Sequence, residues 1–207
     1  MRSKFCLILA TLILTLAGCA RDQMVPNENF TYARSVSAEE QAIRDAFVAA
    51  AVAKAGVKEA DGSHKAIIDA YNAHEPLAQG YAVKYDDEWC ATFVSVIAIE
   101  QGLRDIIPTE CSCERQINLF KELRSWEEDD AYVPLPGDII YYRLGDIGIG
   151  DCTKWANHVG IVIGTWNGKI RVIEGNLSGK VAYRTLPVDD PIIRGFALPD
   201  YDPVTEA

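Results

Sequence analysis

A thiol, an imidazole and a side chain that holds the imidazole in place can together open an amide bond. The thiolate attacks the carbonyl, the ring carries the proton, and the third group fixes the ring's tautomer. Cys90, His158, Glu174 and Asn176 supply these types. His158, one of three histidines, opens the run His158-Val159-Gly160-Ile161-Val162-Ile163-Gly164. Glu174 and Asn176 close the run Lys169-Ile170-Arg171-Val172-Ile173-Glu174-Gly175-Asn176. Two β-branched runs around Asn167-Gly168 predict a hairpin, with the three polar groups at its open end.

Side chains alternate along a strand, so the loop decides whether these groups can meet. A two-residue Asn167-Gly168 loop would set Glu174 and Asn176 on the face opposite His158. A three-residue loop, Trp166-Asn167-Gly168 with Gly168 left-handed in a G1 bulge, sets His158 across from Asn176 and Gly160 across from Glu174. The three-residue register is the expectation, with Gly160 leaving room for the imidazole. The plainer alternative is a strand-end acid and a turn asparagine.

Cys90 falls in the first turn of a helix predicted from Asp86 to Gly102, with acids at its start, an apolar middle and a glycine stop. Helix-start N–H groups lower a thiol's pKa and would receive an oxyanion. A buried structural cysteine is the bland reading, and Trp89 is either core or a cleft wall. Ser37-Ala38-Glu39-Glu40 has capping-box spacing, and Ala42, Ile43, Ala46, Phe47 and Ala50 recur at helical period up to Gly56. A second helix is expected from Lys65 to His74, capped by Ser63, with Ile67, Ile68 and Tyr71 inward. His64 and His74 at its ends read as solvated.

A fourth helix is expected from Glu114 to Trp126, followed by an acidic loop from Glu127 to Asp130. Pro134-Leu135-Pro136-Gly137-Asp138 turns into a strand, Ile139 to Tyr142. The glycine-rich stretch from Leu144 to Asp151 lacks phosphate-loop spacing. Short strands near Val181–Leu186 and Ile193–Ala197 complete the chain. Helices first and strands afterwards predict α+β with an antiparallel sheet.

The 207 residues suffice for one domain and a tail, and a net charge of −10 argues against nucleic acid and against attachment through anionic lipid. Met1-Arg2-Ser3-Lys4, an apolar run from Phe5 to Leu16, and Leu16-Ala17-Gly18-Cys19 resemble a bacterial lipobox. That divides the chain into a leader over 1–18, a tether over 19–36 and a domain over 37–207, with Cys19 lipidated. The expected location is the extracytoplasmic face of the cell membrane, held by that lipid. An exported chain permits disulfides, and Cys152 bonded to Cys111 or Cys113 is the expected pairing. A zinc site from Cys111, Cys113, Cys152 and a histidine lacks a CxxC pair, and free thiols are the third alternative.

Cysteine on a buried helix start, Pro136-Gly137-Asp138 turning into a strand, His158-Val159-Gly160 and Glu174-Gly175-Asn176 occur in an order that resembles the CHAP amidase/peptidase family. That family belongs to the NlpC-type, papain-like cell-wall cysteine hydrolases. The resemblance covers about 80–198. It implies a papain-like fold with N-terminal helices on a small antiparallel sheet, Cys90 as nucleophile, His158 as base, and Glu174 and Asn176 orienting it. It also implies peptidoglycan as substrate, cut at an N-acetylmuramoyl-L-alanine bond or within the stem peptide; no cofactor or metal is expected from the residues. The Cys90 backbone N–H is the expected oxyanion donor, with Tyr85 a candidate second. Trp89 stands where many members carry Gln or Gly, and Asp86-Asp87 do not form the calcium cluster some members have. An inactive envelope-binding module of the same family is the alternative.

Overall fold

The computed structural model describes residues 35–145 and 155–202. The expected leader, Cys19 with its expected lipid, nearly all of the expected tether, most of the glycine-rich stretch and Cys152 lie outside the described residues, while Cys111 and Cys113, the expected disulfide partners of Cys152, are free thiols. The described part is α+β, with four α-helices and a six-stranded antiparallel sheet.

Helix α1 (Ala38–Val52) starts where Ser37 accepts a hydrogen bond from the Glu40 N–H at 3.0 Å. Its inward face is rotated from the expected one: Glu40, Arg44, Phe47 and Ala51 are buried. Two charged residues can face inward because they are paired there. Arg44 Nε donates to Glu40 at 2.7 Å and Arg44 Nη1 to Asp138 at 2.9 Å, while the guanidinium lies 4.5 Å from the centre of the Tyr201 ring. Burial raises the Asp138 pKa in spite of Arg44. This cluster ties α1 to the Pro-Gly-Asp turn before the sheet.

Helix α2 (Lys65–Asn72) buries Ile67, Ile68 and Tyr71 as expected. Ser63 does not cap it; its hydroxyl bonds Asp61 and the Lys58 N–H, and His64 takes the N-cap position. Helix α3 (Cys90–Glu100) is shorter than expected and begins at the cysteine itself. The acids lie in a turn ahead of it, where Asp87 accepts from the Lys84 N–H and the Tyr81 hydroxyl. Helix α4 (Cys113–Glu122) ends early, since Arg124 at φ 59° reverses the chain and frees Trp126 to enter the sheet.

The strands are β1 (Trp126–Glu127), β2 (Ile139–Tyr142), β3 (His158–Trp166), β4 (Lys169–Glu174), β5 (Ala182–Pro187) and β6 (Ile193–Ala197), in the order β1-β6-β2-β3-β4-β5. Alternation sorts them into two cores. Tyr141, Val159, Ile161 and Ile173 pack with the helices, while Ile140, Tyr142, Val162, Val172 and Phe196 form a second cluster. Edge strand β1 gave no sequence signal, being two residues long and half-buried.

The β3–β4 hairpin reaches the expected open-end pairing by another device. Its turn has two residues, not three: Asn167 and Gly168 both have positive φ, 50° and 68°, as a type I′ turn requires. Trp166 faces Lys169, the ladder shifts between Val162 and Gly164, and Ile161 faces Ile173. The extra residue, Ile163, is a bulge that flips the parity back. Continued outward, that ladder sets Gly160 opposite Glu174.

Helix α3 crosses the end of β4 at Gly175. A Cβ there would lie 2.3 Å from Phe93 Cβ. Gly175→Ala is therefore expected to destabilise the fold by about 1–3 kcal/mol through overpacking, and to push the start of α3 from the strand ends. The urea midpoint measures the first effect.

Candidate active site

The sheet end where β3 begins and β4 stops, with Arg184 of β5 and the first turns of α3 and α4, brings five ionisable groups into one chain of contacts. Glu174 joins two of the others, with 0% exposure. Its Oε2 pairs with His158 Nε2 at 2.9 Å, and its Oε1 accepts from Arg184 Nε at 2.6 Å. A carboxylate so deeply buried needs such partners to stay ionised. Gly160 provides the room: a Cβ there would meet Val172 Cγ1 at 2.5 Å and Glu174 Cγ at 2.7 Å. The space it leaves therefore serves the acid more than the ring.

With Nε2 engaged by Glu174, the other ring nitrogen of His158 is left for Cys90, and the thiol and the ring lie near enough that each shifts the other's pKa. The imidazole stacks on Tyr142 at 6.1 Å between ring centres, and the Arg184 guanidinium covers the Tyr142 ring at 5.5 Å. Burial works to lower the His158 pKa, but the hydrogen bonds and charges of Cys90 and Glu174 outweigh it and carry the value to about 9.

Cys90 is the first residue of α3, whose N-cap Trp89 provides no side-chain cap. Its Sγ lies 3.7 Å from Cys113 Sγ. The hydrogen bond from Cys113 is the largest influence on Cys90; with His158 and the Ala91 N–H it overcomes burial and holds the thiol well below the ordinary range. The same contact, together with burial, pushes Cys113 well above that range. The contact therefore favours the proton on Cys113 and the negative charge on Cys90. Cys90, His158, Glu174 and Arg184 are two acids and two bases in contact, a set that can balance its charges without water.

These shifts separate the thiols. Burial is also the largest influence on Cys111, whose pKa is raised. Iodoacetamide near pH 6 is expected to label Cys90 while sparing Cys111 and Cys113, with peptide mass mapping as the readout. Equal labelling of all three would exclude the thiolate–imidazolium pair.

Two expected participants are elsewhere. Asn176 does not touch His158: at φ 57° it leaves the strand alternation, and its Nδ2 donates to Glu88 Oε2 at 2.5 Å. It links the end of β4 to the segment entering α3. Tyr85 does not offer its hydroxyl to the thiol, because that group donates to Asp69 at 2.7 Å and the Tyr85 carbonyl contacts His64 Nε2 at 2.9 Å. His64 is buried rather than solvated, with its ring 5.9 Å from that of Trp89. Trp89 is core, and its Nε1 donates to Glu59 at 2.8 Å.

Glu59 and His64 also line an open cleft of about 630 Å³, with Lys65, Asn72, Lys84 and Asp86 on its walls. Trp89, the residue before Cys90, contacts Glu59 and His64 on the cleft wall, whereas neither Cys90 nor His158 lines the cleft. Sequence reasoning missed Arg184 and the placement of Cys113. A lone arginine in the alternating run Ala182-Tyr183-Arg184-Thr185-Leu186 was the available signal for the first.

No family model, curated protein or solved structure matches the chain.

Proposed function

We propose that the protein is a cysteine hydrolase of amide bonds, of the CHAP type with a papain-like fold, acting on peptidoglycan from the outer face of a bacterial membrane to which a lipid on Cys19 tethers it. The observation that carries this reading is the series Cys113–Cys90–His158–Glu174–Arg184, in which a thiol of lowered pKa neighbours an imidazole of raised pKa that a buried carboxylate holds. An idle buried thiol would be raised by its surroundings, not lowered.

In the reaction the Cys90 thiolate attacks the amide carbonyl. First-turn N–H groups of α3 face the oxyanion, a kind of contact that contributes roughly 3 kcal/mol in hydrolases. His158 gives its proton to the leaving amine, and the acyl group remains on Cys90 as a thioester. Water then loses a proton to His158 as it attacks, freeing the acid and restoring the ion pair. Glu174 holds the ring and stabilises the imidazolium, while Arg184 keeps Glu174 in place. The neighbouring cleft carries ammonium groups from Lys65 and Lys84 and carboxylates from Glu59 and Asp86, chemistry suited to a peptide bearing both charges.

Purified sacculi incubated with the protein test this reading, with released fragments identified by mass. A free lactyl-muramic end and intact stem peptides mean amidase cleavage, shortened stems mean endopeptidase cleavage, and no fragments refute the proposal. The pH profile is a second check. The rate should hold from neutral pH upward and fall above about pH 9, where His158 loses the proton it must deliver. On the acid side it should fall only where Cys90 is protonated, below the ordinary thiol range.

A further inference from the structure

Beyond its contact with the Cys90 sulfur, Cys113 has no part in the hydrolytic steps. Like Cys90 it is the first residue of a helix, and it is buried, so the N-terminal ends of α3 and α4 converge on one pair of sulfur atoms 3.7 Å apart. Two converging helix ends favour negative sulfur. The pair is also asymmetric. Cys90 has His158 and the Ala91 N–H beside it, whereas Cys113 neighbours Glu114. Cys111, two residues away, faces elsewhere: Gln79 Nε2 and the Tyr71 hydroxyl are its neighbours. No side chain caps the first turn of α4, so no cap contact has to break for Cys113 to shift.

We propose that Cys113 is a resolving thiol for Cys90, so that a small hydroperoxide converts the pair to a reversible Cys90–Cys113 disulfide that switches the site off and spares its sulfur from further oxidation. The switching rests on the hydrolase reading above; the disulfide does not. In the first step the Cys90 thiolate attacks the outer peroxide oxygen and the O–O bond breaks. The alcohol or water leaves with a proton from His158, and Cys90 becomes a sulfenic acid. Next, Cys113 gives its proton to His158 and its sulfur attacks Cys90 Sγ. The S–O bond breaks, and hydroxide leaves as water with the His158 proton. Two thiols are oxidised by two electrons, and the peroxide is reduced by two.

The sulfurs need to close from 3.7 Å to about 2.05 Å. A thiol reductant reverses the bond by exchange, whereas an unresolved sulfenic acid goes on irreversibly to sulfinic acid.

The test treats the full-length protein in detergent with hydrogen peroxide, then alkylates it and maps its peptides by mass. Fragmentation distinguishes Cys113 from Cys111, and sacculus cleavage is measured before oxidation, after it, and after added reductant. The wild type is expected to show a Cys90–Cys113 link, lose activity and regain it with reductant. Cys113→Ser should lose activity irreversibly, with sulfinic acid on Cys90, while Cys111→Ser behaves as wild type and controls for folding. A wild type that loses activity irreversibly, or a link joining Cys113 to Cys152, would overturn the proposal. Should the reduced protein never cleave sacculi, the hydrolase reading fails, and the mapped link alone still decides whether Cys113 resolves Cys90.

Discussion

Cys90→Ala is expected to lower the turnover of sacculi by roughly 10⁴-fold or more, because the covalent route ends with the thiolate and only oriented binding and the helix-start N–H groups remain. The released-fragment assay measures it. Thermal unfolding should hardly change, since the lost atom is one sulfur and His158 can give up its proton once the thiol that raises its pKa is gone. His158→Ala should fall into the same range, and the double variant should be little worse than either, because thiolate and imidazolium act as one unit. A double variant that loses the product of the single effects would mean that the two groups work independently, which their mutual influence on pKa argues against.

Glu174→Ala should have the second largest effect, and in stability as well as rate. Glu174 is fully buried between His158 at 2.9 Å and Arg184 at 2.6 Å, so its removal strands two cations. Breaking a buried pair from one side costs about 3–5 kcal/mol, which urea unfolding would read directly. Glu174→Gln keeps the shape and separates the two contributions. It should unfold less readily than the alanine variant, yet lose up to about 10⁴-fold in kcat, as happens when the acid of a catalytic triad becomes its amide. The basic limb of its pH profile should move below about 9, since Glu174 is one of the groups that raises His158. Arg184→Gln should move that limb the other way, because the imidazolium then has the carboxylate to itself. A Glu174→Gln profile superimposing on the wild type would reduce Glu174 to a packing group.

Much of the architecture was legible because it depends on local pattern. Ser37 as N-cap, the apolar stripe of α2 and strands at Ile139–Tyr142 and Ile193–Ala197 follow from capping, period and β-branching. The errors arose where a distant partner overrode a local rule. Arg44 could turn inward only because Asp138 lies 94 positions away to receive it. His64 is buried because Tyr85 and Trp89 fold over it. The hairpin register is the clearest case: Asn167-Gly168 obeyed the two-residue rule, and the bulge at Ile163, which no residue type announced, restored the parity that the site needs.

The sequence by itself determined the α+β class, the order of helices before strands, and which thiol, imidazole and acid could form a site, since composition, period and residue chemistry are properties of short stretches. Only the tertiary structure decided that Glu174 rather than Asn176 holds the ring, that Arg184 completes the charge balance, and that Cys113 lies against Cys90. Those facts depend on burial and on contacts between segments far apart in the chain. Removing water is what makes each such group require a partner, and where water is excluded is settled only when all the segments pack together.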